Sequence, residues 1–331
     1  MRSILASHLP MGMKGVFMMA LSAGKSVREL IKEKKSKKSM HDFIEKLVPA
    51  ALFVAAAISI LTTIGIIVTL ATETIIFFSR VSFFEFITEK EWYPFLKDDA
   101  SYGIMALVSG TLLVTVIAMI VALPVGLASA IFLSEYASDR TRRIIKPILE
   151  VLAGIPTIVY GFFALTFVTP LLQKIIPDIG FFNALSPGIV VGIMIIPMIA
   201  SLSEDAMSSV PNSIREGALA LGATKFEVAL KVVLPAATSG VVASFVLGIS
   251  RAIGETMIVT LAGGATPKLT FDPTESIQTM TAYIVQVSTG DAGYGTTIYY
   301  SIYAVGATLF VFTMLMNLLA QFISRRFREE Y

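Results

Sequence analysis

The sequence predicts an all-α integral membrane protein of six transmembrane helices. Hydrophobic residues fill 55% of its 331 positions and charged residues only 15%, against roughly 25% charged in soluble domains. The charges are clustered, leaving six uncharged runs, each at or above the ~18 residues for which a spanning helix is the default reading. In hydrocarbon an unpaired backbone amide costs several kcal/mol, so such runs form helices or a closed barrel, and these lack a barrel's short alternating segments.

Residues 1–43 precede the runs and are basic. The short apolar stretch Gly15 to Ala23 has the look of a signal sequence. Cleavage near Ala23 would place the basic segment Lys25 to Lys38 on the outer side, against the positive-inside rule. The segment is therefore read as an amphipathic or unstructured cytoplasmic extension, with Lys32, Lys34, Lys35, Lys37 and Lys38 near anionic membrane lipid. Gly24-Lys25-Ser26 resembles the end of a phosphate-binding loop, but that motif needs a glycine where Met19 stands.

Residues 44–331 form the membrane domain. Its runs are Leu47 to Thr72, Ser101 to Ser134, Val151 to Gln173, Ile179 to Ser203, Val232 to Ser250 and Ala292 to Ser324. With the N-terminus inside, 20 Lys and Arg fall on the inner side and five on the outer, with Arg251 inside the membrane. Both termini are thus expected in the cytoplasm. The first outer loop is acidic, with Glu85, Glu89, Glu91, Asp98 and Asp99, and it holds the single tryptophan, Trp92, beside Tyr93 at interface depth. Pro124 in the second run and Pro156, Thr157 and Tyr160 in the third mark places where a proline frees a carbonyl to line a cavity. A simple kink is the plainer reading of both. Glu204 and Asp205 close the fourth run; they read as a solvated helix end, with a guard at the inner exit or an ATPase contact as the alternative.

The cytoplasmic loop at about 211–231 reads as two short helices in series. Ser213 with Glu216 forms a capping-box pattern, Thr224 with Glu227 repeats it, and Gly222 between them suits the left-handed position that ends a helix. Pro235 lacks an N–H and marks a bend into the fifth helix. That helix, expected to run from about Val232 to Ala262, carries Arg251 and Glu255 four residues apart, on one face and able to pair. An arginine at a helix centre costs ~2.5 to 3.5 kcal/mol on insertion scales and does not face lipid. The pair is either a structural clamp or an anion site, in which a planar guanidinium meets an oxyanion and the carboxylate keeps it oriented. Gly240, Ser244, Gly248, Ala252 and Thr256 recur every four residues beside it, a row suited to close helix contact.

No cysteine is present and only His8 and His41 are histidines. Disulfides, thiolate metal sites and a histidine relay within the membrane are excluded, and no catalytic constellation or metal-ligand set is visible.

Glu216-Gly217-Ala218, Gly222, Val232, Leu234 and Pro235 fall on the pattern Glu-Ala-Ala, three residues, Gly, nine residues, aliphatic, any residue, Leu-Pro. This resembles the EAA loop of bacterial ABC importer permeases, departing only at Gly217 and Val232. Gly248 to Met257 (Gly-Ile-Ser-Arg-Ala-Ile-Gly-Glu-Thr-Met), Ala153 to Leu165, Ser203 to Ala206 and Thr274 to Ile284 are similar to segments of phosphate permeases. The likeness covers about residues 44–325, and the acidic first outer loop favours the C-type (PstC) branch over the A-type.

The resemblance implies a type I, MetI-like architecture in the bacterial plasma membrane. It implies a coupling helix built on Glu216, Gly217, Ala218 and Gly222, with Leu234 and Pro235 completing the motif, and a substrate path past Arg251 and Glu255. It also implies partners: a sister permease of the PstA type, a dimer of PstB-type ATP-binding subunits holding ATP and magnesium, and an extracytoplasmic phosphate-binding protein of the PstS type. No cofactor is expected in this chain and no nucleic acid among its partners. The expected function is alternating-access import of inorganic phosphate, as a non-catalytic subunit. An importer permease for sulfate or molybdate is the nearest alternative. A secondary transporter is further off, because it needs titratable residues on several helices.

Overall fold

The computed structural model describes residues 27–96 and 100–326. Most of the basic extension's start, including Gly15 to Ala23 and the Gly24-Lys25-Ser26 triplet, lies outside them, as do Asp98, Asp99 and the last five residues.

The chain separates into two compact units, residues 1–69 and 70–331. The first consists, in its described part, of a single helix, α1 (Val27–Phe78), which passes into the second unit. It continues through positions 43 and 44 without a break, so the basic segment from Arg28 onward belongs to the same helix as the first apolar run.

In the second unit the order is α2 (Phe83–Thr88), β1 (Trp92–Tyr93), β2 (Ser101–Tyr102), α3 (Met105–Tyr136), α4 (Asp139–Gly154), α5 (Thr157–Gln173), α6 (Leu185–Ser208), α7 (Asn212–Ala220), α8 (Lys225–Ala236), α9 (Thr238–Ile253), α10 (Met257–Ala262), α11 (Met280–Thr289) and α12 (Thr297–Arg326). The two strands form a small antiparallel ribbon with Trp92 opposite Tyr102.

Among the described residues four helices are long and apolar enough to cross a membrane alone: α1 from Leu47, α3, α6 and α12 to Leu319. The remaining two runs are each a bent pair, α4 with α5 at 86° and α8 with α9 at 76°. Six spans result when each pair is counted as one.

The bends correct two expectations. Pro156 does not kink a continuous helix; it stands just before α5, after α4 has ended at Gly154. The residue before a proline is pushed out of helical conformation, and Ile155 is extended at φ −66°, ψ 129°. The fifth run likewise is no single helix from Val232 to Ala262. It bends at Ala237, two residues past Pro235, and stops at Ile253, with α10 starting separately at Met257.

Proline also explains two wide turns, in which the N–H reaches back five residues rather than four. They cover Ala164–Val168 and Ala229–Val233, just ahead of Pro170 and Pro235. A proline ring clashes with the carbonyl four residues back, and a wide turn opens that spacing.

Three apolar clusters hold the second unit. The largest joins α3, α5, α6 and α10 around Ile195, Ile199, Tyr160 and Ile258. A second gathers aromatic rings at the other end, where Trp92 meets Tyr283 at 4.9 Å and Tyr102 at 5.8 Å, edge to face. Trp92 is fully buried, so it does not form part of the exposed face that its position beside Tyr93 suggested. The two-stranded ribbon folds it inward, whereas Tyr93 on the alternate face is exposed. The third cluster, with Met207, Val210, Val228 and Val233, supports the loop between α6 and α9.

Candidate functional site

The small-residue row on α9 packs against α6 of the same chain. A Cβ at Gly240 would stand 2.4 Å from that of Ala206, so only glycine allows this approach. One turn on, the Ser244 and Ser203 hydroxyls are hydrogen bonded at 2.7 Å. This contact fixes the direction of α9 and so the position of Arg251 in its last turn.

Arg251 and Glu255 do pair, at 3.2 Å between Nη1 and Oε2. They do so across the end of α9, because Glu255 lies in the break before α10. The other carboxylate oxygen, Oε1, accepts from the backbone N–H groups of Met257 at 3.2 Å and Ile258 at 3.4 Å. Thr281 Oγ1 donates to the Glu255 carbonyl at 2.7 Å. Glu255 is thus held from behind with its side chain 1% exposed, while that of Arg251 is 45% exposed. A buried, hydrogen-bonded carboxylate fixes one edge of the planar guanidinium; Nη2 makes only a 3.9 Å contact with the Met194 sulfur, and the outer donors of the fork remain for an oxyanion.

Arg251 lines a cavity of about 420 Å³ together with Thr157, Met194, Ser201, Glu150 and Lys146. Pro156 and Tyr160 shape its wall without facing it. Without an N–H on Pro156, the Leu152 carbonyl loses its usual helical donor, and the Tyr160 hydroxyl takes that place at 2.8 Å.

Glu204 and Asp205 differ from each other. Glu204 is buried, 3.5 Å from Arg142 Nε and in closer contact with Lys146, whereas Asp205 is exposed and meets Lys146 at 3.2 Å. The solvated helix end expected for both therefore fails for Glu204, which clasps α4 to α6. The signal available in sequence was the run of cations from Arg140 to Lys146, which needs anionic neighbours when folded against a membrane helix.

In the loop, the second capping box forms: Thr224 Oγ1 accepts from the Glu227 N–H at 3.3 Å, and Glu227 Oε2 accepts from the Thr224 N–H at 3.0 Å. These bonds, the Thr224 N–H first and the Lys231 ammonium next, draw the Glu227 carboxyl from 4.5 down to about 2. Gly222 has φ +90°, as its place between the helices required. The first capping box does not form. Helix α7 starts one residue before Ser213, with Pro211 at its cap and no side-chain cap bond.

Arg215 anchors α7 instead. It donates to the Met207 carbonyl at 2.6 Å and to the Val210 carbonyl, and pairs with Glu135 at 3.2 Å. The guanidinium thereby binds α7 to the ends of α3 and α6. Glu135 lies 80 positions away, and nothing in the loop's own pattern pointed to it. Glu216 and Gly217 are exposed and Ala218 half-buried on α7, while Leu234 and Pro235 sit at the bend. Leu219, Leu221 and Phe226 are exposed on the same loop, Leu221 at 91%.

The family described as "Binding-protein-dependent transport system inner membrane component" matches residues 122–329. Bacillus subtilis has a protein described as "Probable ABC transporter permease protein YqgH", 36% identical over 246 residues, which are 74% of this chain and 79% of that one. The "Phosphate transport system permease protein PstC" of Xylella fastidiosa is 34% identical over 262 residues, 73% of this chain and 78% of its own. That of Pasteurella multocida is 37% identical over 219 residues, 59% of this chain and 67% of its own. A solved bacterial alginate ABC transporter, in complex with alginate pentasaccharide-bound periplasmic protein, aligns with a TM-score of 0.61 at 18% identity, over 88% of this chain and 98% of that one. This last likeness establishes a common fold.

Proposed function

The chain belongs to the family of binding-protein-dependent transport system inner membrane components, and from that premise we propose that it is a permease subunit of an ATP-driven inorganic phosphate importer. It is a multi-pass protein of the bacterial inner membrane. The observation that carries the phosphate reading is Arg251, a half-exposed guanidinium held by a buried carboxylate at the edge of a cavity. An arginine fork suits a tetrahedral oxyanion, and the relatives named phosphate permeases support phosphate over other oxyanions.

The proposed partners rest on the surfaces this chain exposes and on the family it belongs to. Arg251 faces an open side, which a sister permease of the PstA type closes to complete the path. Exposed Leu219, Leu221 and Phe226 around Glu216, Gly217 and Gly222 suit a groove on a PstB-type ATPase dimer, where magnesium and ATP are held. A PstS-type binding protein delivers phosphate outside, with both termini of this chain in the cytoplasm.

In this scheme ATPase closure pulls α7. Because Arg215 binds α7 to the ends of α3 and α6, and the Gly240 contact binds α6 to α9, the pull reaches Arg251 as movement of a packed unit. Alternating access then exposes Arg251 outward to receive phosphate and inward to release it, with hydrolysis on the partner resetting the cycle.

ATP-dependent uptake of labelled phosphate into vesicles holding the full complex, with sulfate as competitor, tests this reading. Saturable uptake that ignores sulfate and disappears in Arg251→Ala supports it. Uptake blocked by sulfate reassigns the anion, and uptake that survives the substitution removes Arg251 from the path.

A further inference from the structure

Helix α4 is built unlike any crossing segment. Its 16 residues are amphipathic and none is fully buried. One face carries Arg142 and Lys146, which grip Glu204 on α6. The opposite face carries Ile144, Ile148 and Val151, exposed at 62%, 53% and 70%, with exposed Pro147 between them. The spacing of four, then three, places them in one stripe along the helix. Arg140, four residues before Ile144, begins the same stripe, and Arg143 flanks it; both are exposed.

The direction of α4 decides what this stripe meets. Helix α5 turns away from α4 by 86°, and at about 1.5 Å per residue it is long enough to cross most of a ~30 Å hydrocarbon core by itself. With α5 upright, α4 lies flat. It does so on the membrane side that carries α7, since its cations hold the α6 end that leads into α7. A flat helix with an apolar stripe and arginines beside it has the composition of an interfacial membrane helix.

We propose that α4 lies in the membrane interface and binds anionic lipid, with Ile144, Ile148 and Val151 in the acyl boundary and Arg140 and Arg143 on headgroup phosphates. Lipid contact is then transmitted to the transport unit, because the other face of α4 lines the cavity at Arg251 through Lys146 and Glu150. The inference is independent of which solute is carried.

The chain contains no cysteine, so Ile148→Cys is labelled with a nitroxide on this subunit alone before the complex is assembled from unlabelled partners. The full complex is placed in vesicles of phosphatidylcholine and phosphatidylglycerol, with Asp139→Cys as the aqueous reference. The expected result is a several-fold higher collision rate with oxygen at 148 than at 139, and a several-fold lower rate with a water-soluble nickel chelate. Nickel access equal to that at 139 places the stripe in water and overturns the proposal. Exclusion of both reagents means that a protein, such as a sister permease, covers the face, and overturns it too. In Arg140→Gln/Arg143→Gln the preference of the complex for spin-labelled phosphatidylglycerol over phosphatidylcholine falls several-fold, because two headgroup-facing charges are lost; an unchanged preference rejects the role of the arginines.

Discussion

The Arg251 guanidinium meets the Glu255 carboxylate at 3.2 Å across a gap between two helices, and the same carboxylate receives the first N–H groups of the second helix. Glu255 is therefore both the partner of the exposed cation and the anchor of α10. The two roles separate by mutation.

Arg251→Ala leaves a buried carboxylate without its cation, a change that costs about 3–5 kcal/mol in fully buried pairs and less here, where the arginine is half exposed and two N–H groups remain. Thermal unfolding of the purified complex is expected to show a lower midpoint for Arg251→Ala. In Arg251→Ala/Glu255→Gln the charge is gone while an amide oxygen still accepts from Met257, so the midpoint recovers. Phosphate uptake stays absent in both. Recovery of uptake in the double variant would reduce Arg251 to a structural partner.

Glu216 is exposed on α7, so Glu216→Lys leaves the fold intact. The expected outcome is ATPase activity that no longer responds to loaded binding protein, with uptake lost. Arg215→Ala differs: it removes the bonds to Met207, Val210 and Glu135, and Glu135 loses its cation. A loss of about 1–3 kcal/mol is expected, with hydrogen exchange faster along residues 211–221. Unchanged exchange there would show that α7 is held by other contacts.

Gly222→Ala places a Cβ at φ +90°, at a cost of about 1–2 kcal/mol. Nothing lies within 4 Å of that Cβ, so the strain is purely conformational. Asparagine, which tolerates the left-handed region better, is expected to retain more uptake than alanine. Equal uptake in the two variants would argue against strain at this turn.

Glu227 titrates at about 2 in the folded loop against an ordinary 4.5. A depressed folded pKa means that its contribution is complete above the unfolded value and is lost as pH falls from about 4.5 toward 2. In chain labelled with carbon-13 at the glutamate carboxyls, the Glu227 midpoint is expected near 2. Thr224→Ala removes the hydroxyl bond but retains the stronger backbone one, so a partial rise is expected; a full return to 4.5 would mean that the cap had unravelled.

The apolar runs, the loop motif and the Arg251–Glu255 spacing were legible in the sequence because each is local. Hydropathy reports which stretches avoid water, a glycine between two caps reports a turn, and a four-residue separation keeps two side chains near each other even where the helix ends. Tertiary structure decided where the runs break and what the breaks point toward. Pro156 announces that a helix is disturbed, but it gives neither the 86° turn between α4 and α5 nor the junction of α4 with α6 through Lys146 and Glu204. Trp92 is buried because a ribbon closed by Tyr102 folds it onto Tyr283, and Arg215 is an anchor because Glu135 arrives from a distant helix end. Pairings of this kind depend on which surfaces meet when the spans pack, and a linear pattern of charge and hydropathy does not record them.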